Sequence, residues 1–224
     1  MEKAGLSRNV YLLTGLLIIC FICMSPDAQA NLISNGDFEL GNTGFYTEYT
    51  YHPSNIGPAG YYSITTDPDI VHHHSGGLTA SYGDHTTGNG LMMAVNAAND
   101  SNTIVWQQTI AVQQNQTYHF SAFVSTWFPV DPTVLAFDIN IGGVVTESFN
   151  APSTVGIWEQ YSNVFNSDSN EMVTIAIRSL GTVGNGNDFS LDDLSLTPVP
   201  EPTTMLLLGT GLLGLAGIRR RMKK

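Results

Sequence analysis

The sequence predicts an all-β body, a single antiparallel β-sandwich of the jelly-roll type, with one apolar helix at each end of the chain. Three observations predict it. Short β-rich runs, many alternating apolar with polar or small residues, recur through the middle of the chain between Gly, Asn and Asp turn signals. No amphipathic helical period stands between residues 31 and 198. The two long, nearly uncharged apolar stretches lie at the termini, outside this body.

The N-terminal helix reads as a signal helix. Lys3 and Arg8 make a positive start, residues 10–24 an apolar middle, and Ala28-Gln29-Ala30 a small-x-small cleavage site. Residues 1–30 are then a signal peptide, cut by signal peptidase, and Asn31 is the first mature residue. Both cysteines, Cys20 and Cys23, fall inside the removed segment. The mature chain therefore has no disulfide, no thiolate metal site and no cysteine nucleophile. Its stability must come from a core, which a body of residues 31–197 is long enough to build.

Within that body the expected strands are 44–51, 60–66, 90–96, 103–112, 117–127, 134–141, 144–149, 157–165, 172–180 and 189–196. The alternation is clearest in Met172-Val173-Thr174-Ile175-Ala176-Ile177-Arg178 and in Leu135-Ala136-Phe137-Asp138-Ile139-Asn140-Ile141. Gly142-Gly143, between two runs, predicts a tight hairpin.

Charge is partitioned. Seven of the eight Lys and Arg residues sit in the two ends, and Arg178 is the only cation between residues 31 and 200. Of the 19 acidic residues, all but Glu2, Asp27 and Glu201 lie in that same stretch, giving the body a net charge of −15. Such a field repels phosphate backbones and excludes nucleic acid as a partner. Cations at both termini place the termini on the cytoplasmic side of a membrane and the body across it.

The C-terminal end has three parts in order: Val199-Pro200-Glu201-Pro202, an apolar run over 203–218, and the basic tail 219–224. Sixteen residues rise ~24 Å as a helix, short of the ~30 Å hydrocarbon core, but flanking Arg and Lys can snorkel. These three parts resemble the PEP-CTERM sorting signal of exported Gram-negative proteins, which here covers residues 198–224. The resemblance implies a transmembrane helix at 203–218 that tethers the precursor in the inner membrane. It also implies cleavage near Val199, Pro200, Glu201 and Pro202 by an exosortase-type protease, and delivery to the cell surface, extracellular matrix or biofilm.

The body's two ends carry a second resemblance. Asn31-Leu32-Ile33-Ser34-Asn35-Gly36-Asp37-Phe38-Glu39 resembles the first strand of galactose-binding-like jelly rolls, the fold of many carbohydrate-binding modules. Asn187-Asp188-Phe189-Ser190-Leu191-Asp192-Asp193-Leu194-Ser195-Leu196 resembles their last strand, a neighbour of the first in that fold. The resemblance implies one structural Ca²⁺ held by Glu39 and Asp193, with Asp37 or Asp192 as substitutes and backbone carbonyls completing an oxygen shell.

Two histidine-bearing segments need a reading. In Tyr82-Gly83-Asp84-His85-Thr86-Thr87-Gly88 the expectation is that Asp84 and His85 hydrogen-bond the turn to a neighbouring loop. His72-His73-His74 is a poor metal site, because successive strand residues point to opposite faces and nothing fixes four ligands.

Sugars stack their C–H faces on aromatic rings, which are both apolar and polar-tipped in Trp and Tyr. Trp127, Trp106, Trp158 and Tyr161 are the candidate ligand-binding residues, Trp127 because a loop at its strand end can expose it, whereas Trp106 and Trp158, flanked by Val105 and Ile157, are expected to be partly core. Catalysis has little support. There is no Gly-x-Ser-x-Gly, no His-Glu-x-x-His and no phosphate-cradling glycine loop. The body has no lysine for Schiff-base chemistry. The sequence thus points to an exported, non-catalytic surface or matrix protein that associates with polysaccharide. The alternatives are a structural or adhesive protein without a sugar pocket, and an exopolysaccharide hydrolase or lyase.

Overall fold

The computed structural model describes residues 30–72, 81–128, 130–182, 186–200 and Gly211. Ten strands form: β1 (Thr50–Tyr51), β2 (Tyr61–Thr65), β3 (Met92–Asn96), β4 (Ile104–Ala111), β5 (Thr117–Thr126), β6 (Val134–Asn140), β7 (Val144–Asn150), β8 (Trp158–Asn166), β9 (Met172–Ser179) and β10 (Phe189–Pro198). They make a six-stranded sheet, β1-β2-β3-β10-β5-β8, and a four-stranded sheet, β4-β9-β6-β7. All pairings are antiparallel except β1 with β2. The all-β sandwich read from the sequence is therefore present.

The core fills the space between the sheets, as period-two alternation requires. Tyr118, Phe120, Ala122 and Val124 of β5 face Phe137, Ile139, Ile175 and Ile177 of the other sheet within one buried cluster. Phe137 stacks on Tyr161 with centroids 3.8 Å apart and planes 7° from parallel. The six-stranded sheet is also covered on part of its outer side. There Ile56, Val71, Ala94, Trp127 and Phe128 make a second, smaller apolar cluster.

Three local expectations are corrected. Residues 31–39 lie beside β10 but do not form a strand. Leu32 N–H donates to Leu196 C=O (2.8 Å) and Leu194 N–H to Gly36 C=O (2.9 Å), but Asn35 and Phe38 adopt φ of 55° and 56° and turn the chain. The Asn35 amide holds that turn, donating to the carbonyls of Gly41 and Thr43 and accepting from Leu40 N–H. A Cβ on Gly36 would lie 2.0 Å from the Leu194 carbonyl oxygen, so only glycine permits this approach. The strand expected at 44–51 shrinks to β1 and one bridge, Tyr46 to Gln107. A one-turn helix, α1 (Pro68–Val71), is present where none was expected; Asp67 caps it by accepting from Asp69 N–H at 2.9 Å.

Among the described residues no helix is long and apolar enough to cross a membrane. The signal helix, Ala28, Glu201, Pro202, the span at 203–218 (Gly211 apart) and the basic tail lie outside those residues, as do His73 and His74.

Candidate functional site

The outward face of the four-stranded sheet is built by alternation. Register places Gln107 of β4, Ala176 of β9, Asp138 of β6 and Thr146 of β7 in one row. Thr109, Thr174, Asn140 and Val144 make the next row, and Arg178, Ala136 and Ser148 lie on the other side. Tyr46 bridges to Gln107 and so extends the first row by one position; it is 53% exposed. From Tyr46 to Thr146 the row crosses about 19 Å at ~4.8 Å per strand.

Polar groups on this face are held in place. Arg178 donates from Nε to Asp138 Oδ2 (2.5 Å) and from Nη2 to Asp138 Oδ1 (3.0 Å). Its Nη1 reaches Asn102 Oδ1 at 3.3 Å. Thr146 Oγ1 donates to Asp138 Oδ1 (2.6 Å), and Thr109 and Thr174 share a hydroxyl bond at 2.8 Å. Burial pushes the Asp138 carboxyl up, but the bonds from Arg178 and Thr146 and the guanidinium charge outweigh it and hold it below its ordinary value. Ala136 and Ala176 lie between these groups and are both buried. The result is an aromatic edge beside fixed donors and acceptors, groups that can orient a polyhydroxylated ligand.

A second constellation lies on the outer side of β10, where residues 84–91 are tied down by four carboxylates. Asp192 Oδ2 accepts from His85 N–H (2.8 Å). Asp193 Oδ2 accepts from His85 Nδ1 (2.6 Å) and Asp193 Oδ1 from Thr86 Oγ1 (2.7 Å). Asp84 accepts from Thr87 N–H and Gly90 N–H, and Glu39 Oε1 from Leu91 N–H (2.6 Å). The Asp84–His85 turn is thus hydrogen-bonded to its neighbours as the sequence suggested. Asp192 is fully buried; that burial, then the Asp193 and Asp84 charges, push its carboxyl up to about 7.

Calcium was expected on Glu39 and Asp193, with Asp37 or Asp192 as substitutes. Asp193 is committed to His85 and Thr86, and Asp37 lines a separate cavity with Asp193. Glu39 instead approaches Asp84: a Cβ on Gly90 would lie 2.2 Å from Glu39 Oε1 and 3.0 Å from Asp84 Oδ2. Among the described residues, no three His, Cys, Asp or Glu side chains form a group able to hold a metal ion. The left-handed Asp193 (φ 48°) sits at a register skip in β10, and its side chain turns to His85.

Two aromatic candidates, Trp127 and Tyr161, are corrected, and Trp106 and Trp158 lie wholly or partly in the interior as expected. Trp106 and Trp127 are completely buried and Tyr161 nearly so. Trp106 and Tyr161 belong to the intersheet core. Trp127 fills the outer cluster and donates from Nε1 to the Phe189 carbonyl at 2.8 Å. Trp158 is half-buried, its Nε1 donating to Gly83 C=O (3.2 Å) and its ring edge against Tyr82 and His85. Tryptophan brings a large apolar area that the core takes up. The ring on the open face is Tyr46, which the sequence left among many tyrosines. Arg178, the body's lone cation, was the available pointer to that face.

Residues 198–221 match the PEP-CTERM protein-sorting motif, the address of an exported, secreted protein. No curated protein matches the sequence. Among solved structures, the CBM22-1 xylan-binding domain of Paenibacillus barcinonensis Xyn10C is similar at TM-score 0.51 and 12% identity, over 79% of this chain and 99% of that one. TmCBM61, solved in complex with β-1,4-galactotriose, is similar at TM-score 0.51 and 13% identity, over 76% and 99%. At such identities the likeness establishes the jelly-roll sandwich fold of carbohydrate-binding modules.

Proposed function

We propose that the chain is an exported, non-catalytic protein of the cell surface or extracellular matrix that binds a neutral polysaccharide on the open face of its four-stranded sheet. The observation that carries this reading is Tyr46. It is a half-exposed ring at the end of a row that runs through Gln107, Asp138 and Thr146, the last two hydrogen-bonded to each other. The fold shared with a xylan-binding domain and with a module that holds β-1,4-galactotriose supports it. Neutrality of the ligand follows from charge: the body's one cation is already paired with Asp138, and its net charge repels acidic glycans.

Delivery completes the reading. The leader is removed after Ala30, and the 203–218 span holds the precursor in the inner membrane with the body on the periplasmic side. An exosortase-type protease then cuts at Val199-Pro200-Glu201-Pro202. Val199 is still tied to the sandwich, its N–H donating to the Thr117 carbonyl at 2.8 Å, while Pro200 is exposed. A structural Ca²⁺ belongs to the same proposal, with Glu39 and Asp192 as its side-chain ligands and backbone carbonyls completing the oxygen shell.

A glycan array probed with residues 31–198, with and without EDTA, tests the binding claim. Saturable retention on one class of neutral glycan supports it. Silence across the array overturns it in favour of a structural or adhesive protein, the reading that the buried tryptophans favour.

A further inference from the structure

On the opposite sheet, away from the Tyr46 face, a cavity of about 490 Å³ opens between the 31–37 turn, β5 and the register skip of β10. Its size is that of a small-ligand pocket. Phe123 gives it an apolar ring, and Asp37, Ser121 and Ser195 a polar wall, while Ile33 and Leu194 border it from the intersheet core. Most other polar groups there are already spent. Asn31 and Asn35 hold backbone groups of their own turn and of β10, and both oxygens of Asp193 are taken by His85 and Thr86.

Three groups are not spent. Asp37 accepts one long bond, from Glu39 N–H at 3.4 Å, which leaves its second oxygen open. The Ser195 hydroxyl has no partner among the described residues. Ser121 is only 6% exposed, lies on the cavity wall, and its hydroxyl likewise has no partner there. Both hydroxyls are therefore open to a ligand in the cavity. Phe123 is backed by His85, stacked at 3.5 Å and 16°, so the ring is fixed in place.

We infer that this cavity is a second ligand site, for a primary ammonium carried on a polyol, that is, an amino sugar. The acid beside it and the absence of any Lys or Arg from its wall attract a cation and repel an anion. Asp37 takes the ammonium in a charge-assisted bond. Ser121 and Ser195 take ring hydroxyls. Phe123 covers the C–H face and adds attraction for the nearby cation.

The test is calorimetry and amide-shift titration of the full chain with glucosamine, and with glucose as the neutral control. The expected result is saturable glucosamine binding at least tenfold tighter than glucose, weakened by salt, with shifts centred on Phe123 and Ser195. Asp37→Asn lowers it at least tenfold, and Ser121→Ala by a smaller factor. Tyr46→Ala leaves it unchanged, which separates this site from the polysaccharide face. Equal affinity for the two sugars, no binding of either, or shifts confined to other residues overturns the inference. So does an Asp37→Asn variant that binds as the wild type. If Asp37→Asn does not fold, the wild-type shift map and the glucosamine-to-glucose ratio decide alone.

Discussion

Arg178 and Asp138 face each other across β9 and β6 with two parallel bonds, Nε to Oδ2 at 2.5 Å and Nη2 to Oδ1 at 3.0 Å. Both side chains are mostly shielded, so removing one leaves the other charged and short of partners. Arg178→Ala is expected to destabilise the fold by about 2 kcal/mol. Because the folded Asp138 carboxyl lies below its ordinary value, the pair's contribution is fully present above the unfolded carboxyl value near pH 4. It is lost as pH falls through the folded value. A double-mutant cycle of Arg178→Ala and Asp138→Asn checks this: the coupling measured at pH 6 should shrink by pH 3.

Asp188 behaves in the opposite sense. Burial pushes its carboxyl up to about 7, against one lowering bond from Ala97 N–H, and its Oδ1 is buried without a partner among the described residues. A folded value above the unfolded one means the native state binds the proton more tightly. Stability is then full below about pH 4 and declines between about 4 and about 7. Asp188→Asn keeps an acceptor for Ala97 and removes this penalty. Urea midpoints should show the variant gaining on the wild type from pH 5 to pH 8, by at most about 4 kcal/mol for three pH units. No gain at pH 8 would count against it.

The buried tryptophans should report on stability alone. Trp127→Phe loses the indole bond to the Phe189 carbonyl and should cost about 1–3 kcal/mol. Polysaccharide retention should stay as it was once the protein is folded. A variant of normal stability that no longer binds would restore Trp127 to the ligand site.

Calcium can be tested through two residues with different jobs. Asp193→Ala breaks the ties to His85 and Thr86, so its melting temperature should drop equally in calcium and in EDTA. Glu39→Ala should fall further in calcium than in EDTA. Equal losses for both variants would remove the metal from the account.

The strand pattern was readable because burial in a two-layer sandwich imposes period two, and β2 through β10 fall within a residue or two of where alternation placed them. The hairpin at Gly142-Gly143 is there, with Gly142 at φ 69°. What alternation cannot do is say which side of a strand meets a second layer. Trp127 follows β5, and Ile56 and Val71 from another segment pack over it, so the ring is buried where a loop was expected to expose it. The first segment misled for another reason: Asn35-Gly36 is turn chemistry, and its side-chain bonds outweigh the strand pairing that its apolar residues suggest. Tyr46 was legible only as one tyrosine among many, since its place at the sheet's edge depends on the long-range bridge to Gln107.

Affinity electrophoresis of the wild type and Tyr46→Ala through gels containing neutral polysaccharides, xylan and β-1,4-galactan among them, tests the binding face most directly. Tyr46 is exposed, so its loss should change stability by less than about 0.5 kcal/mol. The wild type should be retarded in at least one gel, and Tyr46→Ala should migrate there as it does in a gel without glycan. Equal retardation of the two proteins would contradict the assignment of this face.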